Sequence, residues 1–248
     1  MRKILTKTTR DKGSRTPTRP LRLLMLALTL ALFCAPLRAS AQDAGGNPSN
    51  WCRNGFFTSE TKEFRLARVR GARGSRAYFQ GDDEGCPGPA AKCGQKAYVI
   101  PGDELIVSRA FGEYVCAWYQ PARGGETVGW VAASRLEISE ADANPALALW
   151  LGTWEFYNDT LRITRGAKAG TLRVEGEAFW HGVNPENVHT GEVSGEAAPV
   201  AGVLSLGGGD DLCRATFRLV GAYLIVDDNG DCGGANVTFD GVYRKKRR

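Results

Sequence analysis

Apolar residues recur along most of this chain in short, every-other-residue runs, and none holds a helical period beyond two turns. In Cys213-Arg214-Ala215-Thr216-Phe217-Arg218-Leu219 the cysteine, alanine, phenylalanine and leucine face one way, the arginines and threonine the other. That alternation predicts an antiparallel sheet with one wet face. The same reading from residue 146 onward gives strands at 153–157, 160–164, 171–175, 178–181, 190–194, 203–206, 212–220, 223–227 and 236–243. Together they predict an up-and-down barrel, whose closure removes its edges. Between 51 and 138 shorter runs predict strands at 97–100, 105–108, 115–119 and 129–131. Within 115–119, alternation puts Val115, Ala117 and Tyr119 on one face and Cys116 and Trp118 on the other, and only one of these faces can be core. The stretch 139–145 is polar, lacks β-branched alternation and reads as a linker. Asn144-Pro145 supplies a helix cap and first helical residue for one turn through Leu149. The predicted fold is all-β, a small β domain over 51–138 followed by an up-and-down barrel over 146–248.

Charge changes the picture at both ends. The chain has 32 Lys+Arg against 27 Asp+Glu, but residues 1–41 hold nine basic residues and one acidic one. Five more basic residues form the terminus Arg244-Lys245-Lys246-Arg247-Arg248, and residues 42–243 carry a net −8. A basic nucleic-acid-binding face is therefore not expected. The basic head precedes an apolar run of 15 residues, 23–37, short of the ~20 that a spanning helix needs. Ala39-Ser40-Ala41 then offers the small residues of a cleavage site. The expectation is a signal peptide over 1–41, cleaved after Ala41, with no stable membrane span left and the mature protein periplasmic or secreted.

Cysteine usage fits export. Cys34 leaves with the signal, and six cysteines remain, an even number that reads as three disulfides in an oxidising compartment. Cys86-Pro87-Gly88-Pro89 to Cys93 is a loop closed on itself. Cys213 and Cys232 flank a hairpin turning near Gly221 and lie within diagonal cross-strand reach. Cys52 and Cys116 are left for each other. The predicted pairs are Cys52–Cys116, Cys86–Cys93 and Cys213–Cys232.

Two resemblances refine the fold. Pro101-Gly102-Asp103 before a strand, the aromatic strand Val115-Cys116-Ala117-Trp118-Tyr119 and Gly129-Trp130-Val131 before Leu136 together resemble a bacterial SH3-like module over roughly 45 residues. The segment with the Cys86–Cys93 loop departs from that pattern. The resemblance implies a wall-associated or peptide-binding adaptor, with Tyr98, Tyr114, Trp118, Tyr119 and Trp130 available to line a groove; core packing is the competing role for Trp118 and Trp130. Leu151-Gly152-Thr153-Trp154 after a helical turn resembles the start of the calycin (lipocalin-like) barrels. That resemblance implies a last-strand arginine, here Arg244, covering Trp154 by cation–π stacking.

No catalytic frame stands out. His181 and His189, near Glu186 and Glu192, match no metal-ligand spacing. Asp227-Asp228-Asn229-Gly230-Asp231 has its glycine one place early for a calcium loop and is accounted for by a turn on Asn229-Gly230. Gly207-Gly208-Gly209-Asp210-Asp211 lacks the lysine and helix of a phosphate cradle. With its cysteines paired, the chain offers no free thiol nucleophile. The expectation is a binding protein without catalysis, metal or cofactor. Its SH3-like part would engage peptidoglycan peptide or an envelope protein, and its barrel a small ligand or a protein. The alternative is an inhibitor of an envelope hydrolase, or a wall hydrolase or its accessory.

Overall fold

The computed structural model describes residues 50–59, 63–184, 186–209 and 211–246. The expected signal peptide, its cleavage site and the last two arginines lie outside the described residues. Those described form part of one compact unit. The chain is all-β, built as two antiparallel sheets, of seven and eight strands.

The first sheet comprises β1 (Arg65–Val69), β2 (Ala77–Gln80), β3 (Gly94–Val99), β4 (Glu104–Phe111), β5 (Tyr114–Tyr119), β6 (Thr127–Ala132) and β7 (Leu136–Ser139), in the order β3-β2-β6-β5-β4-β1-β7. Its inward face packs Val69, Phe79, Leu105, Val107, Val115, Ala117 and Val131 into one core. A single turn of helix, α1 (Leu147–Trp150), follows the seam. It starts after the residues that sequence places in its first turn, because Ala146 keeps extended ψ and Leu149 N–H bonds back to its carbonyl at 2.9 Å.

The second sheet comprises β8 (Gly152–Phe156), β9 (Asp159–Arg165), β10 (Leu172–His181), β11 (Val188–Ala197), β12 (Val203–Leu206), β13 (Ala215–Val220), β14 (Tyr223–Asp228) and β15 (Gly241–Lys245). The order β11-β10-β9-β8-β15-β14-β13-β12 makes a nearly closed barrel. Two differences from the expected strands have local causes. The predicted strands 171–175 and 178–181 are one strand, because Gly176 continues the ladder between Leu161 and Val193. Residues 229–240, whose second half reads as strand from sequence, instead form a loop across the barrel end. There Gly191 and Gly233 make an isolated bridge, and Cys232 accepts the Glu192 N–H at 3.0 Å. A Cβ on Gly191 would lie 2.6 Å from the Cys232 carbonyl, so only glycine permits that approach.

Two aspartates fix the ends of this loop. Asp228 accepts the N–H of Gly230 (2.6 Å) and of Phe239 (2.5 Å), and Asp240 accepts the N–H of Asp228 (2.7 Å). Asn229 accepts the N–H of Arg214 and donates to the Leu212 carbonyl, tying the turn to β13's approach. Val237 and Phe239 enter the barrel core with Trp150, Trp154, Phe217 and Tyr243.

All three predicted disulfides are present, with Cα separations of 5.5 Å (Cys52–Cys116), 5.4 Å (Cys86–Cys93) and 4.4 Å (Cys213–Cys232). The β13–β14 ladder pairs Ala215 with Asp228 through Val220 with Tyr223, the register expected for a turn at Gly221.

The two sheets share a core. Strands β5 and β6 are buried at four consecutive positions each, so both their faces are covered. The outward face, carrying Ile106, Cys116, Trp118, Val128 and Trp130, packs against Cys52, Phe57 and Phe64 and against Val220, Ile225 and Val242 of the barrel. The expectation that only one face of β5 is core is corrected: a partner sheet supplies the second cover. Gly221, at φ +59°, allows a close approach between the two sheets: a Cβ there would sit 2.7 Å from the Leu66 side chain.

Candidate functional site

The five aromatics expected along a groove occupy different surroundings. Trp118 (2% exposed) and Trp130 (0%) are core residues. Trp130 donates its indole N–H to the Asn50 carbonyl at 2.9 Å and lies under the strap of residues 50–52. That strap is itself held by buried Asp82, which accepts the Cys52 N–H (2.8 Å) and both the Arg53 Nε and Nη2 groups (2.7 and 2.8 Å). Tyr114 is half-buried beside Gln80. Tyr119, also half-buried, stands at the junction of the two sheets; burial raises its hydroxyl pKa, and a hydrogen bond with Asp103 adds to the shift. Tyr98 is the one open to solvent, at 40%.

Tyr98 belongs to a surface that the sequence reading leaves incomplete. It pairs across β2–β3 with Tyr78, 49% exposed, at a ring separation of 5.7 Å. Arg76 lies 4.2 Å over the Tyr98 ring. Lys96 and Ile100, two residues either side of Tyr98, are exposed as well. The surface sits on the edge hairpin of the first sheet, since β3 ends the strand order. Its signal in sequence is the alternation Arg76-Ala77-Tyr78-Phe79-Gln80, in which Ala77 and Phe79 go inward and Tyr78 outward.

A second candidate is a cleft of about 610 Å³ at the junction of the sheets, lined by Ala122, Ala222, Tyr223, Arg244, Lys245 and Lys246. The resemblance-based expectation for Arg244 is corrected by the pairing of β15. Arg244 opposes Tyr223 on β14 and Glu155 on β8, whereas Lys245 opposes Trp154. Lys245 is therefore the cation over the Trp154 ring, at 4.8 Å, with its ammonium donating to the Leu149 carbonyl at 2.7 Å. Burial lowers its pKa. Arg244 lies 5.8 Å from the Trp118 centroid and 5.7 Å from that of Tyr223, and donates to the Gln120 carbonyl at 2.6 Å. Trp118 meets Tyr223 edge-on and donates its N–H to Glu126 at 2.6 Å. Burial raises the Glu126 pKa, which the Trp118 bond partly offsets.

The interior of the barrel is occupied. Trp150, Trp154, Phe217, Phe239 and Tyr243 are each at most 1% exposed and pack as one cluster. Outside the barrel, a groove of about 520 Å³ runs over β8–β11 past Glu155, Arg162, Glu175, Glu177, Glu192 and Lys246. His189 stacks on Trp180 at 5.0 Å with Nδ1 2.5 Å from the Ala235 carbonyl, and His181 is exposed opposite Val188. Among the described residues no three His, Cys, Asp or Glu side chains converge as metal ligands, and no helix is long and apolar enough to cross a membrane.

No protein-family model, curated protein or solved structure matches the chain.

Proposed function

We propose that this protein is an exported, non-catalytic binding protein of the bacterial envelope, whose first sheet is an SH3-like module that engages peptidoglycan and whose second is a calycin-like barrel working through its surface. The observation that carries the reading is the exposed Tyr78–Tyr98 pair with Arg76 stacked on it. Tyrosine rings present rigid apolar faces with polar tips, at low entropic cost on binding, and two neighbouring cations suit a carboxylate-bearing polymer. Lone exposed tyrosines are ordinary; a cross-strand pair capped by an arginine at a sheet edge is an organised surface. The three disulfides agree with an oxidising, exported setting. The filled barrel interior favours contact through rim and outer face over carriage of a small apolar ligand.

Co-sedimentation of residues 42–248 with purified peptidoglycan sacculi at two salt concentrations tests the reading. Retention that survives the higher salt and is lost in a Tyr78→Ala/Tyr98→Ala variant is expected. Equal retention of the variant, or none for the wild type, refutes it.

A further inference from the structure

The junction cleft contains an arginine whose surroundings immobilise it. Both ring systems beside Arg244, Trp118 and Tyr223, belong to the core shared by the two sheets, and the Gln120 carbonyl fixes one Nη2 N–H. The remaining N–H groups of that guanidinium have no hydrogen-bond partner among the described residues, and the side chain lines the open cleft. An inter-sheet staple needs the rings and the Gln120 bond; it does not need a solvent-facing fork beside two lysines. A guanidinium held in one orientation presents parallel N–H donors that match an oxyanion bidentately, and it loses little entropy on binding.

The rest of the cleft narrows the ligand. Lys246 is already matched to Glu155 at 2.6 Å, so that pair adds little net charge. Lys245 holds the Leu149 carbonyl. The cleft therefore offers one organised fork beside the Lys246–Glu155 pair, with the Lys245 ammonium turned away onto Trp154, an arrangement suited to a single negative charge and poorly suited to a dianion. Ala122, Ala222 and the Tyr223 ring supply small apolar walls beside the fork. Small-ligand sites are concave and largely preformed, as this cleft is.

We infer that this cleft binds the C-terminal carboxylate of a short peptide, with Arg244 as the bidentate partner and Ala122, Ala222 and Tyr223 accommodating small side chains next to it. The site is separate from the tyrosine pair: a soluble peptide reads the cleft, sacculus retention lost on Tyr78/Tyr98 substitution reads the platform, and either can fail alone.

The test is calorimetric titration of residues 42–248 with N-acetyl-Ala-Ala as the free acid, with its C-terminal amide and with inorganic phosphate. The acid is expected to bind at least about tenfold more tightly than the amide, with phosphate weaker than the acid. Arg244→Lys, which keeps the charge and loses the fork, is expected to weaken the acid by about tenfold or more. Amide NMR shifts of Ala122 and Ala222 on adding the acid to the wild-type protein locate the site without any variant. Equal binding of acid and amide, tighter binding of phosphate, no binding of the acid, or shifts that spare both alanines would overturn the inference.

Discussion

Trp118 and Tyr98 are both aromatic residues on strands of the same sheet, and they meet opposite fates. Trp118 lies on β5 in the middle of the sheet, where the barrel covers the outward face; Tyr98 lies on the edge strand β3, which the barrel does not reach. What separates them is which part of the sheet the barrel covers: its residues pack on the outward face of β4, β5 and β6 at Ile106, Trp118 and Val128, while Tyr98 on β3 stays 40% exposed. The aromatic residues of the first sheet thus include a set packed between the two sheets and the exposed pair Tyr78 and Tyr98.

The largest effect should come from breaking the sandwich. Trp118→Ala removes a fully buried indole between the sheets and is expected to cost about 3–5 kcal/mol, read as a fall in the guanidinium midpoint. Loss of the Cys52–Cys116 bridge, by replacing both residues with alanine, releases the strap that covers Trp130 and should cost about 2–4 kcal/mol by the same measurement. Arg244→Ala removes a stacked guanidinium and its bond to Gln120, with an expected loss of about 1–2 kcal/mol. An unchanged midpoint would show that the rings hold without it.

Stability should also depend on pH through the loop that closes the barrel. Burial raises the Asp240 carboxyl to about 6, with the Asp228 N–H it accepts pulling the other way and the charges of Asp228 and Asp227 adding to the rise. A raised folded-state pKa means that the folded protein holds the proton more tightly than the unfolded chain. This contribution to stability is complete below the unfolded value near 3.8 and is lost as pH rises through about 6. Asp240→Asn keeps an acceptor for the Asp228 N–H and should flatten the stability profile between about pH 4 and pH 7 relative to wild type. The smallest effect belongs to the open pair: Tyr78→Ala/Tyr98→Ala should move stability by no more than about 1 kcal/mol while abolishing sacculus retention.

The barrel was far more legible in sequence than the junction. Strands such as β13 alternate in burial, with Ala215, Phe217 and Leu219 inward and Thr216 and Arg218 half-exposed, so period-2 patterning marks them directly. Val115-Cys116-Ala117-Trp118 shows no such break, because both of its faces are covered; a run like that announces burial without saying by what. The cysteine pairing followed from loop closure and hairpin geometry. The position of Arg244 did not, since a one-residue difference in the pairing of β15 with β8 decides whether Arg244 or Lys245 meets Trp154. The loop 229–240 misled for a related reason: its apolar Val237 and Phe239 alternate like strand residues but plug the barrel end.

The shared core around Trp118 should make the two sheets unfold as one cooperative body rather than as two modules on a linker. Calorimetric unfolding of residues 42–248 with the disulfides intact tests it most directly. The account predicts a single transition whose calorimetric and van't Hoff enthalpies agree. Two resolved transitions, or a calorimetric enthalpy well above the van't Hoff value, would contradict it.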